Sequence, residues 1–263
     1  MSRHDDAARA LMQARDAKQR LALLPEACRP TDVPGAYAIQ AAHRALMTKG
    51  GFGKQIGWKI GCTNEKAQEH LGINEPFYGG MFAGTARRTP ARYAADGFFM
   101  TVIEAEIAFC MKEPLPAAAA PYDPGSVADA VDYVMPSLEI VDSRYESWTT
   151  IGAPHIIADN GSHGAWVSGE PVRNWGEIDL ADLDVTLFAD GVQVREGNGF
   201  AVMGNPLNAL TWLANVRAVY AGEGLQAGDV ITTGTTIDVY DARRGEHLMA
   251  DYGPLGQIEL YID

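Results

Sequence analysis

The stretch VIEAEIAF, residues 102–109, decides how the chain is read. Two glutamates, Glu104 and Glu106, interrupt an apolar run that reads as a strand. Side chains two apart on a strand share a face, so both carboxylates point the same way. Two readings are open. A half-exposed strand alternates charged and apolar residues and lets water solvate the charges. A cation held between the carboxylates removes their mutual repulsion.

Working outward, Glu139 in MPSLEIVDSR occupies a second short apolar strand. Three carboxylates on sheet residues suit a hard cation, because Mg2+ takes oxygen ligands in octahedral geometry and keeps several waters. Three protein oxygens leave about three positions for water or a chelating substrate. An exposed Glu139, or one paired with an arginine such as Arg144, is the alternative. Lys59 in GWKIGCT stands between Trp58 and Ile60, with Gly57 and Gly61 outside them, in a chain with six lysines. Glycines there permit close approach by a ligand or another strand. A desolvated lysine beside a metal has its pKa lowered and can move protons, whereas a snorkelling surface lysine does neither. Asp159, Asn160, Ser162 and His163 cluster in IADNGSHGAW, suited to ligand hydrogen bonds or to a plain Asn-Gly turn. TTGTT, which contains Thr235, suits carboxylate binding by hydroxyl and backbone N–H groups, and equally a strand end.

Composition narrows the classes. The chain has 263 residues, 47% hydrophobic and 21% charged, which is an ordinary globular balance with enough length for a real core. A formal net charge of -13 argues against nucleic acid and anionic membranes as partners. No apolar run approaches the roughly 18 to 20 residues of a membrane span. The N-terminus is charged and Ala-rich without an apolar signal region, so the expected compartment is a bacterium-like cytoplasm. Cys28, Cys62 and Cys110 are too few and too scattered for a disulfide framework and fit a reducing environment. GFGKQIG is not GxGxxG, NGSHG is not GxSxG, and no P-loop is present.

The local patterns predict an α+β chain. Helices are expected over HDDAARALMQARDAKQRLALL, over TDVPGAYAIQAAHRALMTKGG with Pro34 near its first turn, and over EKAQEHLG with Gly72 as its stop. NEPFYGGMFAGT is expected to be a turn-rich loop. DPGSVADAVDYVMP is expected to be a helix capped by Ser126 and stopped by Pro136, and GAPHIIADNGSHGAWVSGEPV a loop leading into a strand. DVTLFADGVQVREG reads as a hairpin, NPLNALTWLANVRAVYAGEG as one late helix, and GDVITTGTTIDVY and LGQIELYID as closing strands. The expected division is a helical and α/β portion over 1–75 and a β-rich catalytic core over 76–263, acting as one functional unit.

In this order, GWKIGCT, IEAEIAF, SLEIVDSR, IADNGSHG, NPLNALTWLAN and ADYGPLG resemble the 2-keto-4-pentenoate hydratase family. That family includes the closely similar 4-oxalocrotonate decarboxylases and lies in the fumarylacetoacetate hydrolase superfamily. The resemblance implies a mixed β-roll and a homo-oligomer. It implies a metal triad of Glu104, Glu106 and Glu139 filled by Mg2+ or Mn2+, with Lys59 as the active-site lysine. It implies a 2-hydroxy-dienoate or 2-oxo-enoate substrate from meta-cleavage of aromatic compounds. Asp159, Asn160, Ser162, Thr235, Phe77 and Tyr78 are the candidate substrate-binding residues.

One departure stands out. Many family hydratases carry an acid in a PDFG or PDYG pattern, and here PFYG puts Phe77 at the Asp position. Loss of an acid that handles water weighs against hydration, whereas the metal-stabilised enolate that the resemblance implies depends on the glutamates and Lys59, which are retained. A hydratase is the first expectation, a decarboxylase or C–C hydrolase of a related 2-oxo acid the second. A non-catalytic companion subunit is disfavoured because all three glutamates and Lys59 are retained. The hydrolase reading would gain from a His–Glu pair ahead of Lys59, whereas Glu65 and His70 follow it.

Overall fold

The structure, a computed structural model, describes residues 2–263. Its helices are α1 (Arg3–Asp16), α2 (Val33–Met47), α3 (Glu65–Leu71), α4 (Pro124–Asp129), α5 (Ala153–Ala158) and α6 (Pro206–Tyr220). Its first seven strands are β1 (Gln55–Gly61), β2 (Phe77–Phe82), β3 (Ala86–Arg88), β4 (Ala91–Tyr93), β5 (Val102–Met111), β6 (Val131–Val141) and β7 (His163–Ser168). The remaining six are β8 (Asp184–Ala189), β9 (Val192–Asn198), β10 (Val230–Thr235), β11 (Tyr240–Asp241), β12 (His247–Asp251) and β13 (Gln257–Ile262).

They form two mixed sheets, as expected of a β-roll. The eight-stranded sheet runs β2-β1-β10-β5-β6-β7-β3, with β11 pairing β5, and the five-stranded sheet runs β4-β13-β12-β8-β9. β1 is parallel to β10 and antiparallel to β2, so the first 75 residues contribute a strand to the main sheet. The division at 75 thus cuts through one sheet. The apolar faces meet in one large core that includes Ile103, Ala105, Ile107 and Phe109 from β5 and Leu187, Leu248 and Leu260 from the smaller sheet. Among the described residues, no helix is long and apolar enough to cross a membrane.

Local chemistry explains most elements. Ser2 caps α1, accepting from the Asp5 N–H while the Asp5 side chain returns the bond. Asp32 caps α2, with Pro34 in its first turn. Gly72 ends α3 in the left-handed conformation at φ 65°. The β8–β9 hairpin turns through Asp190 and Gly191, both at positive φ, as the ADG pattern predicts.

Four expectations are corrected. The first helix stops at Asp16, because Lys18 turns the chain at φ 50°. The helix expected up to Pro136 is only α4, which Asp123 caps rather than Ser126. Val131, Tyr133 and Val134 favour strand, and pairing along β5 takes the rest of that segment into β6. Pro136 lies inside β6, where its carbonyl accepts the Gly169 N–H at 2.9 Å. PFYGGMF is not a loop but β2, because its aromatic residues pack and its glycines allow close approach. A Cβ on Gly79 would lie 2.3 Å from the Asn160 carbonyl oxygen. Finally, the loop expected before β7 contains the short helix α5.

Candidate active site

β5 and β6 place the three glutamates. Glu104 and Glu139 are register partners, and Glu106 lies opposite Ser137 two residues along the same face. The opposite face of β5 is buried in the main core, so the alternation of VIEAEIAF fixes where the carboxylates point. One oxygen from each carboxylate comes within 4.8 Å of the others. Glu106 and Glu139 are fully buried, which rules out the solvent-facing reading. Both oxygens of Glu106 and Oε2 of Glu139 have no hydrogen-bond partner. Buried carboxylate oxygens without donors are costly, and a hard divalent cation is the partner this all-oxygen set fits.

Lys59 reaches the same point from β1. It is 2% exposed, so it is no surface lysine, and its Nζ stands 3.5 Å from Glu139 Oε1. The same oxygen lies 2.8 Å from His163 Nδ1. Lys59 Nζ also sits 5.5 Å from the centre of the Phe77 ring. Gly61 makes room for this arrangement, since a Cβ there would be 2.7 Å from the Phe77 ring.

The charges are strongly coupled. Burial raises Glu106 well above the usual carboxylate range, and Glu139 and Glu104 add to the rise. Burial likewise pushes Glu104 up to about 7, with Lys59 opposing it. Burial acts on Glu139 too, but the Lys59 charge and the His163 hydrogen bond outweigh it and hold Glu139 low. Burial pulls Lys59 down, yet the charges of Glu139, Glu104 and Glu106 outweigh it and keep Lys59 above its ordinary value.

A cavity of about 690 Å³ opens onto this cluster. Lys59, Phe77, Glu104, Ser162 and Thr235 line it, so five of the predicted site residues meet in one wall. Ser162, at φ 56°, offers a buried hydroxyl with no partner. Beyond them the wall is largely apolar, with Leu71, Val141, Trp148 and Ile156.

Three predicted substrate-binding residues do other work. Asp159 is fully buried against Arg144: its Oδ1 accepts from Arg144 Nε at 2.5 Å and its Oδ2 from the Arg144 backbone N–H at 3.0 Å. Arg144, offered as a partner for Glu139, is thereby engaged elsewhere. Asn160 clamps Gly80, accepting its N–H at 2.7 Å and donating to its carbonyl at 2.8 Å. Tyr78 points to the opposite side of β2 from Phe77, stacked on Tyr37 with ring centres 4.3 Å apart. Conversely, the sequence argument left His163 as a loop residue. Its position at the start of a buried strand beside an orphan carboxylate is visible only once β6 and β7 pair.

Comparison with known proteins identifies the family. The family described as fumarylacetoacetate (FAA) hydrolase C-terminal matches residues 64–262. A 2-keto-4-pentenoate hydratase of Paraburkholderia phymatum is 35% identical over 89% of this chain and 87% of that protein. A 4-oxalocrotonate decarboxylase of Pseudomonas putida is 33% identical over 85% of this chain and 83% of its own length. The solved 4-oxalocrotonate decarboxylase from Pseudomonas putida G7, complexed with magnesium and adipate, superimposes with a TM-score of 0.92 at 27% identity, covering 100% of this chain and 99% of that one. A chain with this fold, this ordered set of motifs and this degree of likeness belongs to the 2-keto-4-pentenoate hydratase and 4-oxalocrotonate decarboxylase family of the fumarylacetoacetate hydrolase superfamily.

Proposed function

We propose that the protein is a divalent-metal-dependent hydratase of a 2-hydroxy-2,4-dienoate, in equilibrium with its 2-oxo-4-enoate, from the meta-cleavage breakdown of aromatic compounds. The observation that carries this reading is the convergence of three carboxylates, with three buried oxygens lacking any donor, and Lys59 beside one cavity. Glu104, Glu106 and Glu139 would hold Mg2+ or Mn2+. When bound, the cation supplies a Lewis acid for the 1-carboxylate and 2-oxygen of the substrate and stabilises negative charge developing there.

The chain's own groups account for the remaining steps. Lys59 holds a proton at Nζ, facing both the carboxylates and the cavity, and carries it to and from the conjugated chain. The free Ser162 hydroxyl would donate to the substrate carboxylate, with Thr235 lining the same cavity. Phe77 covers Lys59 and excludes water from one side of it. Leu71, Trp148 and Ile156 accommodate the unsaturated carbon chain. We further assign the protein to the cytoplasm, consistent with its three free cysteines, and expect a homo-oligomer by analogy with the family.

A decarboxylase of a related 2-oxo acid is the second reading, favoured by Phe77 at the position where family hydratases carry an acid. The two reactions share the charge stabilisation at the 2-oxygen and part only in what leaves or adds. The test strips the protein with a chelator and restores Mg2+. Hydration of 2-hydroxypenta-2,4-dienoate and release of CO2 from 4-oxalocrotonate are then followed side by side. Metal-restored hydration supports the first reading, metal-restored CO2 release alone the second, and the absence of both overturns the enzyme assignment.

A further inference from the structure

Glu139 differs from its two neighbours in the triad. Glu106 has two bare oxygens, whereas Glu139 has one oxygen contacted twice and one contacted by nothing. The double contact is Oε1, with Lys59 Nζ at 3.5 Å and His163 Nδ1 at 2.8 Å. The bare atom is Oε2.

The chemistry of the His163 bond fixes its direction. A carboxylate oxygen only accepts, so Nδ1 carries the proton and donates. A neutral imidazole then has a lone pair on Nε2, the atom that lacks a partner. The ring itself is 1% exposed and begins a buried strand. Its backbone carbonyl faces two guanidinium groups, Arg15 Nη2 and Arg144 Nη1, each at 3.4 Å. Arg144 is in turn locked to Asp159. His163 is therefore held at both ends, by arginines at its carbonyl and by Glu139 at its ring.

We infer that His163 is a positioning residue for the metal site: by donating to Oε1 it fixes the Glu139 carboxylate so that Oε2 alone is presented to the cation. This assignment rests on the cation reading of the triad. It separates two jobs that one carboxylate must do at once, holding Lys59 and binding metal. Without the imidazole, Lys59 alone would orient Glu139, and a flexible ammonium is a weaker guide than a ring clamped in a strand. Hydrogen-bonded partners of ligating groups characteristically change metal affinity by about 10–100-fold when removed.

The experiment measures Mn2+ binding to chelator-stripped protein by calorimetry and by the electron paramagnetic resonance of free Mn2+. Wild-type protein is compared with His163→Leu, His163→Asn and His163→Gln. Leu keeps the bulk and removes the donor, Asn keeps a donor close to the Nδ1 position, and Gln moves it one bond further out. The expected result is a loss of about 10-fold or more in Mn2+ affinity for Leu, a smaller loss for Gln, and near wild-type affinity for Asn. Circular dichroism melts identify folded variants. Wild-type affinity in folded His163→Leu overturns the inference. If Leu does not fold, His163→Asn binding no better than His163→Gln overturns it. Failure of wild-type protein itself to bind Mn2+ overturns the triad assignment instead.

Discussion

Glu104 and Glu139 face each other as register partners on the antiparallel strands β5 and β6. Like charges directly opposite on a sheet destabilise it. Here a third carboxylate, Glu106, joins them in a fully buried position with both oxygens bare. The metal-free sheet carries this repulsion at the site, and Glu106→Gln relieves it. The variant is expected to be folded, with a metal-free melting temperature equal to or above that of wild type. Its Mg2+-dependent turnover should fall by at least about 100-fold, because the cation loses a charged ligand. Full activity in a folded Glu106→Gln protein would rule out the triad.

The same repulsion makes stability depend on pH in an unusual direction. Glu104 titrates at about 7 in the metal-free fold against an ordinary 4.5, because burial penalises its charge, and Glu106 is shifted the same way. A folded-state carboxyl that binds its proton more tightly than the unfolded chain stabilises the fold at low pH. That contribution is complete below the unfolded value and is lost as pH rises through about 7. Glu139 and Lys59 shift so that their contributions change outside this window. Urea unfolding of chelated protein between about pH 5 and pH 8 should therefore lose stability with rising pH, and Glu104→Gln should flatten that slope. Mg2+ should stabilise most at the alkaline end, where it no longer competes with protons. An identical slope in wild type and Glu104→Gln would contradict the assignment.

How much of this was legible in the sequence depends on how local the determinant is. The strand around VIEAEIAF, the second helix with Pro34 in its first turn and the Asp-Gly hairpin depend on neighbours within a few residues, and all are as expected. The segment 131–136 was misread because its strand pairing is with β5, from Met111↔Val131 to Ile107↔Pro136, beyond the reach of local pattern. The shared face of Glu104 and Glu106 was readable because residue spacing fixes the face of a strand, while Glu139 joins them through the pairing of β5 with β6. The polar cluster at 159–163 was not readable, because its geometry depends on partners distant in the chain, such as Arg144 at 15 residues and Gly80 at 80. From the sequence, Asp159 and Ser162 looked alike. In the fold one is consumed by a guanidinium and the other faces the cavity.

That difference is testable. Arg144 and Asp159 form a fully buried ion pair, so Arg144→Met leaves an uncompensated carboxylate in the interior. Removing one partner of such a pair costs about 3–5 kcal/mol. The melting temperature should drop sharply, while protein that remains folded keeps a substrate KM close to wild type. A large rise in KM without loss of stability would return Asp159 to the substrate-binding set.

Phe77 is where the two proposed reactions diverge. Its ring lies over Lys59, and no carboxylate stands at that position to handle water. Phe77→Asp restores the acid found in many family hydratases. The ratio of hydration to CO2 release, measured on the two substrates in parallel, is expected to rise several-fold over wild type. An unchanged ratio would mean that the residue at 77 does not decide the outcome.

Gly61 sets how closely Phe77 and Lys59 approach each other. A Cβ at 61 would stand 2.7 Å from the Phe77 ring and 3.2 Å from Lys59 Nζ. Both neighbours are side chains, so Gly61→Ala can be accommodated by displacing them rather than by breaking the sheet. The strand should tolerate the methyl group with a loss of about 1–3 kcal/mol, the ordinary cost of overpacking. The displaced groups, however, are the proposed proton carrier and its cover. A shift of about 1 Å in a catalytic group can cost 100-fold in rate. The expected signature is a kcat reduced by about 10–100-fold with Mn2+ affinity close to wild type, because the three glutamates do not move. Turnover at the wild-type rate in Gly61→Ala would show that Lys59 does not act from the position it occupies beneath Phe77.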